Sequence, residues 1–180
     1  MKTKIVLLVA LAFFSTGCSD EKAQLRNAIL HYNTLLSEGY RTMNMSHMVT
    51  IATEQQALKV YHYMAALGEG GVRMDPFLRN ISFEELTRKE SAKAEVITRE
   101  TWNYRYMNTE TGEPGKESIV NYKIRYSLVK LESKWLVADL LVLSTDKADD
   151  SDLLPFLQRP SRPPRENSVP PDTGNMTREK

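Results

Sequence analysis

The chain has 180 residues, 41% of them hydrophobic and 26% charged, with a formal net charge of +1. Those proportions suit one globular domain with accessory segments and exclude a membrane bundle or a wholly disordered chain. The balanced charge gives no field for nucleic acid, and the single cysteine, Cys18, excludes an internal disulfide framework and a multi-cysteine zinc site.

The chain opens with Lys2 and Lys4, runs apolar from Ile5 to Phe14, and then reads Ser15-Thr16-Gly17-Cys18. A basic start, a short apolar run and small residues at its end make an export signal. The run is about half of the ~20 residues that a membrane-spanning helix needs. Thr16, Gly17 and Cys18 resemble the lipobox of bacterial lipoproteins, in which an apolar residue and two small residues precede a cysteine. Ser15 stands where that pattern usually has leucine.

The resemblance implies a signal peptide over residues 1–17 and a lipidated N-terminus over residues 18–20. Cys18 would carry a thioether-linked diacylglycerol and an N-acyl chain such as palmitate. One acyl chain binds a bilayer only marginally, whereas two or more hold it firmly. Ser19 follows Cys18 where aspartate would mark retention at the inner membrane. The expected address is therefore the cell envelope, on the periplasmic side of the outer membrane, with the membrane as a partner through the lipid on Cys18.

Over residues 20–37, Leu25, Ala28, Ile29, Tyr32, Leu35 and Leu36 recur at three- and four-residue steps, which predicts an amphipathic helix. A second helix is predicted over residues 46–67, with Met48, Ile51, Ala52, Leu58, Tyr61 and Ala65 as its stripe. Gly39 and the cluster Gly68, Gly70 and Gly71 are read as boundaries.

A short strand is expected over residues 81–87. Over residues 94–106 the period becomes two: Ala94, Val96, Thr98, Glu100, Trp102, Tyr104 and Tyr106 share one face, and Glu95, Arg99, Asn103 and Arg105 lie on the other. That alternation predicts a strand with one buried face. Residues 107–117 form a turn, and residues 118–130 return with Val120, Tyr122, Ile124, Tyr126 and Leu128 on the apolar side. After a turn at Leu131-Glu132-Ser133-Lys134, residues 134–144 make the most apolar strand.

Residues 145–180 hold most of the prolines and almost no apolar periodicity, which predicts a disordered, proline-rich tail. Leu153, Leu154, Phe156 and Leu157 are its apolar exception.

Helices followed by a curved antiparallel meander of three or four strands give an α+β class, with one domain over residues 21–144. The helix-first order, the stretch Glu100–Tyr106 and the ending Ser133–Leu143 resemble the nuclear-transport-factor-like, cystatin-like superfamily. That resemblance implies a cone-like sheet with a pocket beneath the helices. It also implies a choice among isomerases, dehydratases and non-catalytic binding or assembly domains.

No phosphate-binding, dinucleotide-binding, nucleophile-elbow or metalloprotease motif occurs. His31, His47 and His62 are far apart in sequence, and no metal or cofactor is expected. If Glu132-Ser133 is a two-residue turn, Tyr126 lies opposite Asp139 and both face the apolar side. Asp139 would then be a buried general base assisted by Tyr126. A one-residue slip would turn it to solvent instead.

Trp102, Tyr104, Tyr122 and Trp135 either line a pocket or fill the core. Arg99, Arg105, Lys123 and Arg125 form a basic face that Glu95, Glu100 and Glu117 are expected to neutralise. The leading expectation is a lipid-anchored, non-enzymatic binding or assembly module for an envelope protein or a small apolar ligand. The alternative is a small isomerase- or dehydratase-like enzyme built on Asp139.

Overall fold

The computed structural model describes residues 17–146. The expected signal peptide up to Thr16 and the tail from Lys147 onward lie outside the described residues. Helix α1 spans Gly17–Thr42, a 3-10 helix spans Ser46–Thr50, and α2 spans Glu54–Glu69. Four strands follow: β1 (Val72–Glu90), β2 (Lys93–Asn108), β3 (Pro114–Leu131) and β4 (Lys134–Thr145). They form one antiparallel sheet in the order β1-β2-β3-β4, with both helices on one side. The α+β class expected from the sequence is the class observed.

Helix α1 forms as its spacing dictates. Leu25, Ala28, Ile29, Tyr32, Leu36 and Tyr40 are all buried along one stripe against the sheet. The helix runs five residues beyond the predicted end, through Gly39. Gly39 acts as a contact point rather than a stop, because a Cβ there would collide with Sδ of Met45. The helix ends at Met43, in a left-handed conformation at φ 55°, and the amide of Asn44 donates to the carbonyl of Gly39 at 2.9 Å. Gly39→Ala should therefore lower stability by about 1 kcal/mol despite its helix propensity, measured by chemical denaturation. An unchanged or raised midpoint would show that Met45 moves aside at no cost.

The single helix predicted over residues 46–67 is broken. Between the two pieces, Ala52 makes a parallel bridge to Val137, with amide–carbonyl bonds of 2.9 Å from Val137 to Ile51 and from Thr53 to Val137. Thr53 then caps α2 by accepting from the amide of Gln56. The break resets the helical phase, so Ala57, Val60 and Met64 are buried while Leu58 and Tyr61 are about half exposed.

Strand β1 is far longer than the predicted residues 81–87 and contains Pro76. As an edge strand it tolerates a residue without an amide donor. Three register shifts, at Leu78/Asn80, Phe83/Glu85 and Arg88/Glu90, interrupt its alternation and bend the sheet.

Candidate functional site

The inner face of the sheet is built from the even positions of β2 and β3. Val96, Trp102, Tyr104, Val120, Tyr122, Ile124, Tyr126 and Leu128 are buried there, under the α1 stripe. The space where a superfamily pocket was expected is filled by these side chains. Tyr32 and Tyr126 meet edge to face at 6.3 Å across the helix–sheet junction.

At the centre of this apolar layer sits Glu100, 2% exposed. Its Oε1 accepts from the hydroxyls of Thr98 (2.8 Å) and Tyr126 (2.7 Å), and at 3.5 Å from Nδ2 of Asn33. Its Oε2 accepts from the indole Nε1 of Trp102 at 2.7 Å. Burial pushes the Glu100 carboxyl above the usual carboxylate range, and the bonds from Tyr126, Thr98, Trp102 and Asn33 only partly offset it. Burial likewise raises the Tyr126 and Tyr32 phenols. Tyr32 accepts from Nε2 of Gln56 at 2.7 Å, which ties α1 to α2.

Glu100 escaped notice as a buried acid, although it stands at an even position among Trp102, Tyr104 and Tyr106. The alternation itself was the signal. With its carboxylate buried in the apolar layer and four donors on its oxygens, it is placed to hold the core together.

Asp139 lies elsewhere than expected. Glu132-Ser133 is indeed the two-residue turn, with Leu131 opposite Lys134 and Glu132 at φ 54°. Further along, however, Leu128 pairs with Val137 and Ser127 pairs with Asp139, leaving Ala138 as a bulge. Tyr126 is therefore opposite Leu140, and the Asp139 side chain points outward, 62% exposed, 3.5 Å from Nζ of Lys59. This removes the buried base that the enzymatic alternative required. Asp139→Asn should change stability by less than about 0.5 kcal/mol, as for any exposed ion pair. A loss several times larger in thermal denaturation would mean that the carboxylate is structural after all.

Trp102, Tyr104 and Tyr122 are core residues. Trp135 is also buried, beneath Nζ of Lys130 at 5.4 Å from its ring. One edge of Trp135 borders a shallow groove of about 420 Å³, shared with Gln24, Asn27, His31 and Lys134. Among the described residues, no group of three His, Cys, Asp or Glu side chains is placed to hold a metal. No described helix is long and apolar enough to cross a membrane.

The solvent face of the sheet is more informative. A groove of about 470 Å³ crosses its middle, bordered by Asn80, Ser82, Arg99, Thr101, Asn121 and Lys123, and closed by Ser144 to Asp146. Its floor is a chain of hydrogen bonds. The Thr101 hydroxyl donates to Oδ1 of Asn121 at 2.7 Å, and Nδ2 of Asn121 donates to Oδ2 of Asp146 at 2.7 Å.

The main chain of Asp146 is fixed to β3 as well, its amide donating to the carbonyl of Asn121 at 3.2 Å. Beside this floor, Arg99 and Lys123 share one carboxylate, Glu84, which they hold below its usual range, Lys123 foremost. Arg105 pairs with Asp75, which also meets Arg41. The basic face is thus neutralised mainly by β1 and not by Glu100, which faces inward. Glu117 receives the amide of Asn103, and Glu95 pairs with Lys89.

Two helices laid over a four-stranded open meander, with a closed interior and a polar groove outside, define an α+β domain. The intermembrane-space region of the chloroplast protein ARC6 is similar in fold. The two superpose with a TM-score of 0.61 over 69% of this chain and 95% of that one, at 15% sequence identity. No protein-family model matches the chain, and a search of curated proteins gives no match.

Proposed function

We propose that this protein is a lipid-anchored cell-envelope lipoprotein whose α+β domain is a non-enzymatic binding or assembly module. Its anchor is Cys18, and its address is the periplasmic side of the outer membrane. The support for the address is the run of charge, apolar residues and small residues over residues 1–18. The observation that carries the binding reading is the groove across the solvent face of the sheet. There Asn80, Ser82, Thr101 and Asn121 offer neutral donors and acceptors beside the Arg99–Glu84–Lys123 cluster. Such a surface suits the polar main chain and side chains of an envelope protein better than an apolar small molecule.

Two measurements test this reading. Labelled palmitate should enter the wild-type chain but not Cys18→Ala, and equal labelling of both would remove the anchor. A photo-crosslinking residue at Ser82, on the groove, should give a discrete adduct in membranes, while one at the exposed helix position Glu38 should not. Identical products from both positions would count against the groove.

A further inference from the structure

We infer that the end of the domain bearing the β1–β2 and β3–β4 turns lies directly on the phospholipid headgroups, an inference that rests on the lipidation of Cys18. Helix α1 already includes Cys18, so no spacer separates the lipidated residue from the folded domain. Three residues on, Glu21 is fastened to the sheet. Its carboxylate accepts from Nη1 of Arg88 at 3.0 Å and lies 4.0 Å from Nζ of Lys130. Arg88 in turn donates to the carbonyls of Glu90 and Ser91, in the β1–β2 turn. At ~1.5 Å of rise per helical residue, the backbone of Cys18 stands only about 5 Å along the axis from that of Glu21 in this clamp. Acyl chains buried in a bilayer must then bring the clamp and both turns down to its surface.

The composition of that end fits an anionic lipid surface. The two turns and their flanks carry Arg88, Lys89, Lys93, Lys130 and Lys134 against Glu90 and Glu132. Counting also Glu21, Glu95 and, on the first turn of α1, Asp20 and Lys22, six cations stand against five carboxylates, and the exposed Lys93 and Lys134 flank the turns themselves. Leu131, 57% exposed between these lysines, offers an apolar contact at the headgroup boundary. The orientation leaves the groove on the sheet face standing sideways to the membrane, open to a partner in the same compartment. It lifts the β2–β3 turn farthest away, at the opposite end of strands that rise about 3.3 Å per residue and so reach ~50 Å.

The lipidated chain has no free thiol, so a single introduced cysteine can be labelled cleanly. Ser91→Cys in the β1–β2 turn and Glu110→Cys in the β2–β3 turn are both exposed sites. Each would carry an environment-sensitive fluorophore on full-length lipidated protein, in vesicles of phosphatidylethanolamine with a minority of phosphatidylglycerol and a headgroup-attached quencher. Quenching should be several-fold stronger at Ser91→Cys than at Glu110→Cys. Adding Lys93→Glu with Lys134→Glu should weaken it at the first site while palmitate incorporation stays unchanged. Equal quenching at the two sites on protein that does carry palmitate would overturn the orientation and leave the anchor standing. Absence of palmitate would overturn the anchor and the orientation with it.

Discussion

Replacing Trp102 by alanine should cost the domain about 4 kcal/mol of stability. Trp102 is among the largest fully buried side chains, 1% exposed, on the central strand β2 between Leu78 of β1 and Val120 of β3. Truncation leaves a cavity bounded by two neighbouring strands whose hydrogen-bonded ladders limit collapse, which is why the full transfer and cavity terms should be felt. It also removes the indole donor to Oε2 of Glu100, and a buried acceptor that loses a partner costs about 1–3 kcal/mol. Against a total of roughly 5–15 kcal/mol for a domain, the variant would be marginal. Trp102→Phe separates the two contributions by restoring most of the volume without the N–H, and should recover more than half of the loss. Urea unfolding followed by far-ultraviolet circular dichroism would measure both variants. A cost near 1 kcal/mol for the alanine variant would mean that the interior around Trp102 is far less tightly filled than its burial implies.

The same residue shows how much of the fold the amino-acid pattern discloses. Its strand was legible because β2 keeps a strict period of two from Ala94 to Tyr104, and the helix α1 was legible because its stripe never loses phase. The elements read poorly are those in which tertiary contacts override local pattern. In β1, three register shifts scramble the alternation, and Pro76 argues against a strand unless the strand is known to lie at an edge. Near Ile51, a helical period persists across a segment whose main chain is taken by Val137 of β4, 85 positions later for its bridge partner Ala52.

Asp139 is the sharpest case. The two-residue turn at Glu132-Ser133 is the one the sequence predicts, yet one bulged residue, Ala138, turns the carboxylate from the core to solvent. The bulge adjoins Val137, whose amide and carbonyl are engaged by Ile51 and Thr53 on the side away from β3. Only the assembled sheet holds that information. Of the candidate groove, only Arg99 and Lys123 were legible, as part of a basic sheet face. Its depth was not, because it depends on where Asp146 docks against β3.

Glu100 leads to the second large effect, a dependence of stability on pH opposite to the usual acid denaturation. An ordinary ion-paired carboxylate has a depressed native pKa and loses its contribution as pH falls. For Glu100 the sign reverses. Burial raises its native pKa above the ordinary value of 4.5, so the folded state holds a proton that the unfolded chain releases. Its contribution is fully present below the unfolded pKa and is lost as pH rises through the native one, with a slope of at most about 1.4 kcal/mol per pH unit between them. The titratable phenols nearest to it, Tyr32 and Tyr126, are themselves pushed upward and stay neutral throughout this range.

Glu100→Gln isolates the effect. A glutamine can accept the Trp102 N–H through its oxygen and donate from its amide toward Thr98 and Tyr126. The Tyr126 hydroxyl is then free to give its proton to Oδ1 of Asn33, 3.2 Å away. The variant should match the wild type at and below the ordinary carboxyl pKa, exceed it increasingly as pH rises above that value, and lose the slope altogether. Denaturation midpoints across that interval decide the matter. A wild-type stability that is flat with pH, or a slope that survives in Glu100→Gln, would show that Glu100 is ionised in the core, its four donors having outweighed its burial.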